Sequence, residues 1–184
     1  MALGPPQPMD QPLREPDPAA DQLPLLRVCR LLNEAGARYL VIGGRALILH
    51  QIIRATTDVD ILIEPTEENA RRVIGALSRM EDGAARELTP RDLLDNVVVK
   101  IADEVEVDVS THAWKISYLD ARPTALETVL DGVRIPYLSA EMLIASKETY
   151  RAKDQYDVAA LRDALARRRE AAAAPAASGP KWPC

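Results

Sequence analysis

The chain has 184 residues, 47% of them hydrophobic and 28% charged, with a formal net charge of -5. That length bounds the molecule to about one domain, with chain enough to bury a real core. The composition is that of an ordinary globular protein, no apolar run is long enough to span a bilayer, and the acidic balance argues against broad, sequence-independent nucleic-acid binding, which basic surface drives.

Cys29 and Cys184 make no disulfide framework, so a reducing, cytoplasmic setting is expected. His50 and His112 stand at no metal-ligand spacing with the cysteines, which argues against zinc. The N-terminus lacks a basic start followed by an apolar core, so no signal peptide is expected.

In chain order, residues 1–24 hold half of the 14 prolines and read as a disordered tail. Residues 171–184, rich in alanine and proline, read the same way and leave one domain over 25–170. Leu25, Val28, Cys29 and Leu32 recur at helical spacing, so a helix is expected from Leu25 to Ala35, with Gly36 at its C-terminal cap. Tyr39 to Ile42 reads as a short buried strand, and Arg45 to Gln51 as a helix after Gly43-Gly44. His50 falls at the end of that apolar helix and reads as structural. A second strand is expected over Ala55 to Ile63. Thr66 then caps a helix to about Met80, with Glu67 and Glu68 in its first turn where negative charge is favoured.

A loop follows over 81–89 and a turn over 90–94. Val97 to Ala102 and Val105 to Val109 read as a hairpin turning at Asp103-Glu104. The segment 111–122 shows no clear pattern, and a short helix is expected near 123–130. Val133 to Leu138 reads as an edge strand, because Pro136 cannot donate to a ladder. Ser139 caps a helix that carries Leu143, Ile144 and Lys147, and an amphipathic helix runs from about Lys153 to Arg169. Strands and helices alternate around one sheet, which means α/β or α+β.

Two features carry chemistry. Side chains two apart on a strand face the same way, so Asp58 and Asp60 share a face while Val59, Ile61 and Ile63 share the other. Like charges that close repel unless a positive group sits between them, and a divalent cation with oxygen ligands such as magnesium is the natural candidate. Gly43 and Gly44 let the backbone approach a ligand closely, at the start of a helix whose free amides favour an anion. A metal clamp beside a phosphate cradle suggests nucleotide chemistry. On the later hairpin, Glu106 and Asp108 share a face opposite Val105, Val107 and Val109, and either can supply a third carboxylate.

This pattern resembles the nucleotidyltransferase superfamily with the polymerase β-like fold, and within it the small bacterial AbiEii-like and minimal nucleotidyltransferase branches. Their signature is a strand ending in Gly-Gly or Gly-Ser, a helix, then Asp-x-Asp on the next strand. Gly43-Gly44 and Asp58-Val59-Asp60 match it, and Arg54 to Asp60 follows the Arg-x-Thr-x-Asp-x-Asp form of the AbiEii-like branch. The resemblance implies a mixed, twisted sheet with flanking helices and a small helical C-terminal part. It selects Asp108 as the third carboxylate and makes Asp58, Asp60 and Asp108 the catalytic, metal-binding set for two magnesium ions.

Transfer of a nucleoside monophosphate from a nucleoside triphosphate to a hydroxyl would follow. By resemblance the acceptor is an RNA end or a partner protein, as in toxin–antitoxin pairs, where a cognate toxin or antitoxin is the partner. The same domain without turnover would serve as an antitoxin or partner-binding module. For the nucleotide, the candidates are Gly43, Gly44, Arg45, Arg54, Lys147, Arg151 and Lys153. Lys147 and Arg151, four apart, are expected on one helix face. Lys153-Asp154-Gln155-Tyr156-Asp157 resembles the Lys-Asp-x-x-Asp motif, with Asp154 and Asp157 expected to orient Lys153 or a wall of the base site. Arg45 is read as a phosphate contact or an outward salt bridge, and His112 and Trp114 as lining the acceptor side. No membrane partner is expected.

Overall fold

The computed structural model describes residues 23–173. The expectations for the chain before Leu23, and for 174–184 with Cys184, lie outside the described residues. Helix α1 (Leu23–Glu34) starts two residues ahead of its expected apolar onset. Gly36 ends it in the left-handed region, φ 63°, and the Ala37 amide then donates back to the Leu32 carbonyl at 2.9 Å.

Strand β1 (Tyr39–Val41) is buried throughout and runs directly into helix α2 (Gly43–Leu49). Strand β2 (Val59–Ile63) pairs antiparallel with β1, Val41 opposite Ile61. It begins at Val59 rather than at Ala55. The Ile42 amide donates to the Asp60 carbonyl at 3.0 Å, after which the chain turns away at Gly43, so residues before 59 have no ladder partner on that side.

Helix α3 (Glu67–Leu77) is capped by Thr66, whose hydroxyl accepts from the Asn69 amide. A 3-10 turn at Ala84–Glu87 interrupts the next loop. The expected turn over 90–94 is helix α4 (Pro90–Asp95), because Thr89 and Asp92 cap each other and Pro90 suits the first helical position. Strands β3 (Val98–Ala102) and β4 (Glu106–Ser110) form the expected hairpin, but its turn takes in residues 103–105. Asp103 is drawn out of the ladder, accepting backbone N–H groups from Asp82, Ala84 and Glu104.

A small hairpin follows, β5 (His112–Ala113) and β6 (Ile116–Ser117), with Trp114 half-exposed at its tip. Helix α5 (Tyr118–Ala121) comes next. Of the helix expected near 123–130 only a 3-10 turn at Arg122–Thr124 forms, and the rest is strand β7 (Leu126–Leu130), paired antiparallel with β8 (Val133–Tyr137). Asp131 and Gly132 both take positive φ, the geometry of a two-residue hairpin turn. The edge assignment for β8 is thereby overturned: β7 is the edge. The sheet order is β3-β4-β2-β1-β8-β7, with β2 parallel to β4 and β1 parallel to β8. Pro136 is tolerated inside because its nitrogen faces β1, where the ladder is short; the Leu138 amide, two residues on, donates to the Val41 carbonyl there.

Helix α6 (Ala140–Ser146) is capped by Ser139, and helix α7 (Ala152–Ala173) closes the described chain. The inward positions of α7 are Asp154, Asp157, Val158 and Leu161, so its buried stripe covers only the first turns and carries two carboxylates. The fold is therefore mixed α/β. Its core joins Leu32 of α1, Leu47 of α2, Ile61 and Ile63 of β2, Leu77 of α3 and Ile135 of β8. Cys29 is buried in it, and burial pushes its thiol pKa up to about 12, so it is unreactive at neutral pH. No helix among the described residues is long and apolar enough to cross a membrane.

Candidate functional site

The β1–α2 corner and β2 fit together through Gly43. Its φ is 61°, and a Cβ there would lie 1.9 Å from Asp60 Oδ2. Only glycine allows that turn with the Asp60 carboxylate laid against the backbone. The Gly44 amide in turn donates to the Asp60 carboxylate. A Cβ on Gly44 would meet Thr56 Cβ and Oγ1 at 2.8 Å. The close approach that the two glycines permit is thus made by Asp60 and Thr56 of the chain itself.

Asp58 sits one residue ahead of β2, and Thr56 Oγ1 donates to its Oδ1 at 2.5 Å. Asp108 faces Asp60 across the parallel β2–β4 ladder. Asp58, Asp60 and Asp108 each bring one carboxylate oxygen to a common point, all within 4.8 Å of one another. All three are half-buried. Asp108 Oδ1 is shielded from solvent, with Lys100 Nζ 3.2 Å away. An oxygen-rich, partly dry cluster of three carboxylates fits a hard divalent cation.

The electrostatics agree. Asp60 is raised from 3.8 to about 6, first by burial and then by the charges of Asp58 and Asp108. The Gly44 amide and the positive charge of Lys147 pull the other way.

Lys147 reaches this site from the C-terminal cap of α6. Its Nζ lies 2.9 Å from Asp157 Oδ2 and 3.4 Å from Asp154 Oδ1. Asp154 also accepts from the Thr149 hydroxyl, and Arg54 Nη1 lies 3.4 Å from Asp157 Oδ1. Asp157 is only 1% exposed. The two α7 carboxylates therefore hold Lys147, with Asp157 reaching Arg54 as well; Lys153, which they were expected to orient, is exposed. The expected helix face shared by Lys147 and Arg151 does not form, since α6 ends at Ser146 and α7 starts at Ala152. Arg151 is exposed.

Arg45 is buried, with Nε 3.3 Å from the Asp58 carbonyl and Nη2 3.4 Å from the Thr57 carbonyl. It braces the segment that carries Asp58 and does not point outward. His50 is buried as expected, its Nε2 2.9 Å from the Leu138 carbonyl, and His112 is exposed on β5. Glu106, the other third-carboxylate candidate, is exposed and pairs with Lys100 at 2.5 Å.

Sequence reasoning missed Thr56 and Lys100. Lys100 stands opposite Asp108 in the β3–β4 register, its Nζ 3.2 Å from Asp108 Oδ1. A turn at Asp103-Glu104 would have set Lys100 opposite Val107, on the other face. The longer turn through Val105 shifts the register by one.

No family model matches the sequence, and no curated protein matches it. Among solved structures, the chain is similar to an antigenic nucleotidyltransferase-like protein from Paracoccidioides brasiliensis, at 18% identity and TM-score 0.49, over 83% of this chain and 89% of that one. It is also similar to a protein from Thermotoga maritima provisionally described as a nucleotidyltransferase, at 14% identity and TM-score 0.47, over 86% of this chain and 97% of that one.

Proposed function

We propose that the chain is a magnesium-dependent nucleotidyltransferase that moves a nucleoside monophosphate from a nucleoside triphosphate to a hydroxyl acceptor. The observation that carries this reading is the convergence of Asp58, Asp60 and Asp108 on one point, with one oxygen of each within 4.8 Å of the others. In the reaction, the acceptor oxygen bonds to the α-phosphorus and the bond from that phosphorus to the bridging oxygen breaks. Pyrophosphate leaves, and the hydroxyl proton passes to a carboxylate of the triad. Asp58, Asp60 and Asp108 would hold two magnesium ions, which would supply Lewis acidity toward the phosphoryl oxygens and lower the pKa of the attacking hydroxyl.

The chain's own residues do the positioning. Thr56 fixes Asp58 and the Gly44 amide fixes Asp60, so both carboxylates are aimed before substrate arrives. Lys147, held by Asp154 and Asp157, offers its ammonium to the triphosphate at the Asp60 side, with Arg54 beside it. Arg151, just ahead of α7, and Lys153 in its first turn are exposed and would be free to meet the outer phosphates. The acceptor hydroxyl belongs to an RNA end or to a partner protein, a cognate toxin or antitoxin being such a partner, in the cytoplasm and in the manner of AbiEii-like or minimal nucleotidyltransferases.

The test is transfer of label from ATP, GTP, CTP and UTP to total RNA and to cell extract with magnesium, parent against Asp58→Ala. Transfer by the parent and its loss in the variant are expected. Equal transfer by the two proteins overturns the proposal.

A further inference from the structure

The strand register puts Lys100, Asp108 and Asp60 in one row across β3, β4 and β2. Lys100 Nζ lies 3.2 Å from Asp108 Oδ1, an oxygen shielded from solvent. The ammonium is near enough to neutralise that oxygen as an ion pair. Its second partner is Glu106 Oε1 at 2.5 Å, on the solvent side of the pair. Lys100 and Glu106 are about half-exposed, at 50% and 45%, against 17% for Asp108. A flexible four-carbon stem on an exposed edge strand lets the ammonium leave Asp108 while it keeps Glu106.

We propose that Lys100 is a tethered counter-cation that competes with a divalent ion for Asp108, with Glu106 as the seat it keeps when it is displaced. The proposal rests on the reading of the three aspartates as a cation site. In the metal-free protein the ammonium offsets the repulsion among three clustered carboxylates. An ammonium and a divalent cation on the same carboxylate oxygen are like charges in a half-buried place, so each excludes the other. Lys100 thus sets how readily the β4 side of the site accepts an ion. It is a positioning residue acting through Asp108.

The experiment is titration of the full chain with Mn2+ at pH 7.5 without nucleotide, following free Mn2+ by its paramagnetic resonance signal. Melting curves of the metal-free proteins check that each variant folds. Lys100→Met is expected to bind Mn2+ about three- to fivefold more tightly than the parent, the scale of a half-exposed ion pair, and Lys100→Arg to stay near the parent. In an Asp108→Asn background, where Asp58 and Asp60 remain, Lys100→Met is expected to change nothing, because the competition has lost its object. Two results overturn the proposal: Lys100→Met binding as the parent does, or the same gain persisting with Asp108→Asn, which would mean a long-range field rather than competition. Either leaves the metal site standing, whereas a parent that binds no Mn2+ refutes the metal site and this role together.

Discussion

Gly43 and Asp60 are cut to each other's shape, and both sides of that fit are open to test. Gly43→Ala would place a methyl 1.9 Å from a carboxylate oxygen at a φ of 61°. It is expected to cost about 2–3 kcal/mol in urea unfolding, from strain and displacement of Asp60, and to weaken Mn2+ binding with it. Asp60 itself opposes folding at neutral pH. Its carboxyl titrates near 6 in the folded protein and near 4 when unfolded. Between those values the folded state holds a proton that the unfolded chain has lost, so stability falls as pH rises from about 4 to about 6, then levels off. Asp60→Asn removes the penalty while its carbonyl oxygen still accepts from the Gly44 amide. It is expected to stabilise the metal-free protein by about 3 kcal/mol at pH 7.5 and by far less at pH 4. The same variant is expected to lose Mn2+ binding. These residues were legible in the sequence because Asp-x-Asp and Gly-Gly are local patterns. Lys100 and Thr56 were not, since each depends on where a neighbouring segment is laid down.

At the scale of elements, α7 is tied to the site by buried charge. Lys147 joins Asp154 and Asp157, and Arg54 adds a second cation on Asp157 from the loop before β2. Lys147→Met would leave Asp154 and Asp157 short of a partner inside the protein, and breaking such a pair costs about 3–5 kcal/mol. Hydrogen exchange is expected to show the α7 amides opening sooner in that variant, while the β1 and β2 amides stay protected; uniform loss across the sheet would count against this local coupling. Helix caps at Thr66 and Ser139 were readable because a hydroxyl before a helix acts over a few residues. Strand β7 stands where a helix is expected, although Asp131-Gly132 is a hairpin-turn pair. Its strand character comes from pairing with β8, which no local propensity states.

For the molecule as a whole, a divalent ion bound among three clustered acids would stabilise the folded state. Saturating magnesium at pH 7.5 is expected to raise the melting temperature of the parent by roughly 5 °C, reversed by chelator. Asp58→Ala should show no such rise. The mixed α/β class followed from alternation of strands and helices along the sequence, whereas the strand order did not, because a sheet's order is decided by contacts between distant segments. That order has one more consequence. Asp60 and Asp108 are direct neighbours on adjacent parallel strands, so the gap between their backbones is the repeat of the sheet itself, about 4.8 Å. Substitutions elsewhere have no means of tuning it gradually. Misalignment of β4 by a single step would swing Asp108 to the opposite side. Insertions and deletions within β2 or β4 are therefore screened by an all-or-nothing criterion, whereas the loops and helices between the two strands can absorb changes of length.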